Sequence, residues 1–179
     1  MKVWVSSLAK VHDTAATVRP ARVVSLLSPG DIFPNIDGVS EGGHHKVHMH
    51  DIREPMDNHV TPGERHVTEL LAFLKTHDPN APMLVHCWAG ISRSTATALI
   101  AACLYNPGVE ERRIADDLRK ASPTAFPNTL IAAHADRLMG RDGRLVSAVE
   151  DICSDMDRAE QVARLGEGEP FSLSLVYDE

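Results

Sequence analysis

No apolar stretch in the 179 residues approaches the length of a membrane span, and the N-terminal residues lack the charged region, apolar core and cleavage site of a secretory signal. A cytoplasmic location is therefore expected. There is no long basic run and the formal net charge is -7, which argues against nucleic acid and anionic membrane surfaces as partners. Cysteine is scarce: Cys87, Cys103 and Cys153 are three in number and widely spaced, so neither a disulfide framework nor a zinc site is indicated. Internal repeats, low-complexity tracts and linkers are absent too. What remains, with 43% hydrophobic and 24% charged residues, is the composition of an ordinary globule whose length suits one domain over residues 1–179, with 165–179 as a tail.

The richest stretch is 83–95. Met83, Leu84 and Val85 form a short apolar run that delivers His86 and Cys87, a loop containing Gly90 follows, and Arg93 and Ser94 open a long Ala-rich segment. This reads as strand, tight loop and helix. A loop closing onto a helix N-terminus gathers backbone N–H groups into a concavity that binds an oxyanion, and the same donors stabilise a thiolate at the head of the loop. Arg93 adds a planar fork for two phosphate oxygens. A nucleophile and a seat for the group it attacks are thus encoded together.

The order His86-Cys87-Trp88-Ala89-Gly90-Ile91-Ser92-Arg93-Ser94 resembles the signature of the cysteine-dependent protein tyrosine phosphatases, and most of all that of the dual-specificity branch and its compact bacterial relatives. The resemblance implies that Cys87 is the nucleophile, that residues Trp88, Ala89, Gly90, Ile91, Ser92 and Arg93 cradle the phosphate, and that Ser94 helps the thiolate leave in the second half-reaction. It also implies a phosphorylated protein or small phosphoester as substrate and no metal or other cofactor. Ser94 also suits a plain helix-start serine. His86, pointing opposite to Cys87 on a strand, is expected to orient the loop through hydrogen bonds. The resemblance further calls for an aspartate acid on a loop about thirty residues before the cysteine. Asp51 lies 36 residues upstream, closing a strand expected over 46–50, and is favoured; Asp57, 30 residues upstream in a Pro-flanked loop, is the alternative. His50 and Glu54 come next.

Three departures bear on the substrate. Ala89 and Ile91 stand where phosphoinositide-directed relatives carry lysines, which disfavours an inositol headgroup. No counterpart of the aromatic recognition loop of the classical tyrosine-specific enzymes is evident, and Arg53 is one candidate contact against a solvated surface arginine. A rhodanese-type sulfurtransferase and a catalytically silent phosphate-binding module are the rival readings, with arsenate reduction disfavoured because no second cysteine stands close by to resolve an adduct. His44, His45, His48 and His50 invite a metal reading, but no Cys, Asp or Glu pattern completes a ligand set, and exposed strand and loop residues are the simpler expectation. Cys103 and Cys153 are expected to pack in the core, and Trp88 either packs under the loop or borders the entrance.

Elsewhere, Val3 and Val5 alternate in a strand from residue 2, a short helix fits 8–18, and 22–27 is a continuous apolar strand of the buried kind. From 28 to 43 the composition is that of irregular loop. Thr61-Pro62-Gly63-Glu64 has capping-box spacing, and Val67, Leu70, Leu71 and Leu74 recur with helical period to about Thr76. Further helices are expected over 109–120, 128–139 and 144–156, and Phe171, Leu173 and Leu175 alternate as an edge strand or an extended tail. Together these elements predict an α/β fold with a central, mostly parallel sheet flanked by helices.

Overall fold

The computed structural model describes residues 2–154 and 166–177. Its elements in chain order are β1 (Lys2–Ser7), α1 (Val11–Val18), β2 (Arg22–Leu27), a short 3-10 turn (Glu41–Gly43), β3 (His44–His48), α2 (Glu64–Lys75), β4 (Met83–Cys87), α3 (Arg93–Tyr105), α4 (Glu111–Ala121), α5 (Thr129–Met139), α6 (Arg144–Ser154) and β5 (Phe171–Ser174). The strands form one sheet in the order β3-β2-β4-β1-β5, parallel throughout except for β5, which runs antiparallel to β1. The mixed, mostly parallel sheet expected from the sequence is therefore present, and 171–174 takes the edge-strand option.

Side-chain alternation divides the core. Val3, Val5, Val24, Leu26, Met83, Val85 and Cys87 face a large cluster built with α2 to α6. Val23 and Leu84 turn the other way, onto a smaller cluster with Val11 and Ala15 of α1. The central strands β2 and β4 are buried on both faces, as a sheet covered by helices requires. Helix α3 is buried continuously from Arg93 to Cys103, which accounts for its apolar character all round.

Several boundaries differ from the sequence reading. Strand β3 begins at His44 because His44 already pairs with Val23, and it ends at His48, although the Met49 N–H still donates to Leu27 O. Helix α1 starts at Val11 and α4 at Glu111, each a turn or less later than expected. The capping box at Thr61 does not form. Gly63 is the N-cap, its N–H donating to His66 Nδ1 at 3.1 Å, and Pro62 precedes the cap instead of opening the helix. The end expected for α6 near Met156 falls outside the described residues. No helix among them is long and apolar enough to cross a membrane.

Candidate active site

The parallel strands β1, β2, β3 and β4 end on one edge of the sheet, where ligands bind in open α/β folds. Cys87 closes β4 at that edge and is 2% exposed. Ser94, one residue into α3 and fully buried, places its Oγ 3.1 Å from Cys87 Sγ.

Between them the loop 88–92 is shaped by its carbonyls. Trp88 O accepts from the Leu8 N–H at 3.0 Å, Ala89 O from the Gly168 N–H at 2.8 Å, and Ile91 O from the Phe126 N–H at 2.8 Å. Ser92 O accepts from the Ala96 N–H at 3.0 Å and the Asn128 N–H at 3.3 Å. In a trans peptide the C=O and the following N–H point in opposite directions. Each outward-tied carbonyl therefore turns the N–H of Ala89, Gly90, Ser92 or Arg93 to the inside of the loop, where it joins the positive end of α3. Gly90 is obligatory: its φ is +73°, and a Cβ there would come within 2.8 Å of Ser6 C and Ser7 N.

Arg93 is 3% exposed and held by one side of its guanidinium. Its Nη1 donates to Met49 O at 2.7 Å and to Ser28 Oγ at 3.3 Å, whereas its buried Nε has no hydrogen-bond partner and lies 4.0 Å from Asp51 Oδ2. A buried donor left this way costs about 1–3 kcal/mol or more when charged, an expense that an incoming oxyanion would remove.

Asp51 is the expected acid candidate that the fold brings to the loop. Its Oδ1 accepts from Ser92 Oγ at 2.7 Å and from Asn128 Nδ2 at 2.9 Å. Asp57 is exposed, and its backbone carbonyl accepts from His59 Nδ1 at 2.9 Å. Asn128 escaped the sequence reading except as a helix start. It is fully buried, caps α5 by accepting from the N–H groups of Leu130 and Ile131 at 3.1 Å, and also donates to Ile52 O. The only local signal was a Pro-Asn pair before a helix, which marks a cap and says nothing of the distant loops it joins.

His86 faces away from Cys87, as expected of its neighbour on a strand. Ser25 Oγ lies 2.6 Å from His86 Nε2 and 2.6 Å from His44 Nε2, so one hydroxyl bridges two imidazoles. Burial pushes both histidines down to about 4, and both are neutral at pH 7. His44 is thus no exposed strand histidine. His45 stacks on Phe73 with ring centroids 5.1 Å apart, His48 contacts Ser28 O and Phe33, and His50 Nδ1 accepts from the Val60 N–H. Among the described residues no three metal-ligating side chains converge.

Trp88 is 59% exposed and therefore does not pack under the loop. The Arg53 guanidinium lies over the Phe126 ring at 4.2 Å. Cys103 and Cys153 pack against the main core, where burial pushes their thiols up to about 12 and about 11. Such thiols are inert at neutral pH.

A strand-end cysteine, a loop whose carbonyls are tied outward, an arginine whose Nε makes no hydrogen bond and a carboxylate tied to the same loop thus meet at one edge of an α/β sheet. Residues 37–120 match the protein-tyrosine phosphatase family. No curated protein sequence matches the chain. Among solved structures, DUSP15 superposes with a TM-score of 0.57 at 20% identity, covering 83% of this chain and 90% of that one. Human DUSP28 gives 0.56 at 17% identity over 86% and 95%, and the PTP-2 phosphatase of Cydia pomonella gives 0.56 at 19% over 75% and 84%. The match covers 37–120 and the fold is shared with these dual-specificity phosphatase structures, to which the chain is similar over most of its length.

Proposed function

We propose that this phosphatase hydrolyses phosphoric monoesters through a cysteinyl-phosphate on Cys87, acting on phosphotyrosine, or on phosphotyrosine together with phosphoserine and phosphothreonine, in protein substrates. The observation that carries the reading is the convergence of Cys87, Arg93 and Asp51 on one loop whose amides face inward. In the first step the Cys87 thiolate attacks phosphorus, the bond to the ester oxygen breaks, and Asp51 gives that oxygen its proton. The loop N–H groups and Arg93 Nε hold the equatorial oxygens as charge spreads over them. In the second step Asp51 takes a proton from water, which attacks phosphorus and releases Cys87, while the Ser94 hydroxyl 3.1 Å away donates to the departing thiolate.

The mechanism asks nothing of a metal. Ala89 and Ile91 leave the loop without side-chain cations, which favours a single phosphate over a polyphosphorylated headgroup. A silent phosphate-binding module would need none of the three reacting groups in register, and here all are present.

The test is hydrolysis of an aryl phosphate by the wild type and by Cys87→Ser. Wild-type activity should survive a chelator, and the variant should lose it entirely, since a hydroxyl is a far weaker nucleophile than a thiolate. Full activity in Cys87→Ser, or loss on chelation, would overturn the mechanism.

A further inference from the structure

The peptide joining Ala89 to Gly90 sits in the middle of the phosphate loop and is the part least able to hold its own orientation, because Gly90 has no side chain and populates positive φ freely. Flipped, it would present a carbonyl oxygen to the anion in place of a donor. What fixes it comes from the far end of the chain. The Gly168 N–H donates to Ala89 O at 2.8 Å, and Gly168 is buried so closely against the loop that a Cβ would lie 3.2 Å from Gly90 O and 3.3 Å from Ala89 O.

The residues on either side of Gly168 are anchored to the same edge of the sheet. Glu167 Oε2 accepts from Ser7 Oγ at 3.1 Å, and Ser7 is the residue of β1 that pairs with Cys87. Glu169 Oε1 accepts from Lys10 Nζ at 2.7 Å just before α1. Beyond them β5 adds to β1 with Phe171 and Leu173 buried, so the segment is held at both ends.

We propose that residues 167–169 are a positioning element of the active site: Gly168 turns the Ala89–Gly90 peptide so that the Gly90 N–H faces the phosphate oxygens, and Glu167 and Glu169 fasten Gly168 in place. The inference rests on the phosphatase reading and adds to it a segment distant in sequence from every signature residue. None of the three residues touches the reacting atoms. Their effect is carried by the direction of one donor, and loss of a single oxyanion donor typically costs about 10²–10³-fold in turnover.

The experiment compares wild type, Gly168→Ala and Ser7→Ala for turnover of an aryl phosphate, inhibition by orthovanadate and thermal midpoint. Gly168→Ala pushes on two loop carbonyls and is expected to weaken vanadate inhibition and lower kcat by about tenfold or more, with the midpoint little changed. Ser7→Ala, which adds no bulk, should shift both in the same direction by a few fold. A merely structural segment would lower the midpoint and leave vanadate inhibition of the folded fraction untouched. That outcome in Gly168→Ala, or in Ser7→Ala should Gly168→Ala fail to fold, overturns the proposal. A wild type that neither hydrolyses aryl phosphate nor binds vanadate overturns the phosphatase reading beneath it.

Discussion

At the scale of single residues, the proposed mechanism divides labour between groups that would meet phosphate and groups that hold them. In that mechanism Arg93 does both: Nη1 is bonded to Met49 O, while Nε makes no hydrogen bond and lies 4.0 Å from Asp51 Oδ2. Asp51 is placed by Ser92 and Asn128, and its assigned work is most needed when the leaving group is poor. Asp51→Asn is therefore expected to slow phosphotyrosine hydrolysis by about 10²–10⁴-fold while affecting an activated aryl phosphate far less. Asp57→Asn should leave both rates near wild type. Steady-state rates on the two substrates decide the matter, and equal slowing of both by Asp51→Asn would remove it from the acid role. Cys87, Arg93 and Ser94 were legible in the sequence because their spacing is local and set by one loop. Asn128, Ser25 and Gly168 were not, because each acts through a partner far away in the chain and is locally an ordinary cap, strand serine or loop glycine.

At the scale of elements, periodicity located what packing enforces. Helix α2 announced itself through Val67, Leu70, Leu71 and Leu74, all of which are buried, whereas its start was misplaced because Pro62 and Thr61 carry cap chemistry that a glycine and His66 took over. The start of β3 was hidden for another reason: its first residues, His44 and His45, are strand by virtue of pairing with β2, which no local pattern displays. The same non-local logic stabilises α6, whose N-terminus is capped by a carboxylate from α5. Asp136 accepts from the N–H groups of Gly143 and Leu145 at 2.8 Å and of Val146 at 3.3 Å, and is itself buried. Asp136→Ala leaves those donors unsatisfied and should lower stability by about 1–3 kcal/mol in urea titration. Since α6 packs on α4 and α5, away from Cys87, kcat should stay within about twofold, a small change beside the losses of oxyanion-donor removal. An undiminished midpoint would show that the α5 to α6 junction does not depend on this cap.

At the scale of the whole molecule, the buried histidines tie stability to pH. His44 and His86 are lowered from 6.5 to about 4 by burial, and His45, His66 and His77 are lowered for the same reason. Between those limits the unfolded chain binds protons that the folded chain refuses, so stability is full above about pH 6.5 and falls as the pH drops toward 4. His86, the most deeply buried of them, accounts for about 1.4 kcal/mol per pH unit across that window. Urea titrations at pH 7, 6 and 5 should show a steady decline, and equal free energies at pH 7 and 5 would refute the linkage. The ties that shape the phosphate loop carry a further consequence, one of timing. Its carbonyls are bonded by Leu8 near one end of the chain and Gly168 near the other, and Ser7 and Glu167, 160 residues apart, brace the same corner. Contacts of such long sequence separation carry a large loop-closure cost and cannot form until the distant segment has been made. On the proposed mechanism, a chain leaving the ribosome with β4 and α3 already formed would hold Cys87 but lack a finished cradle, and catalysis would switch on only as residue 168 docks.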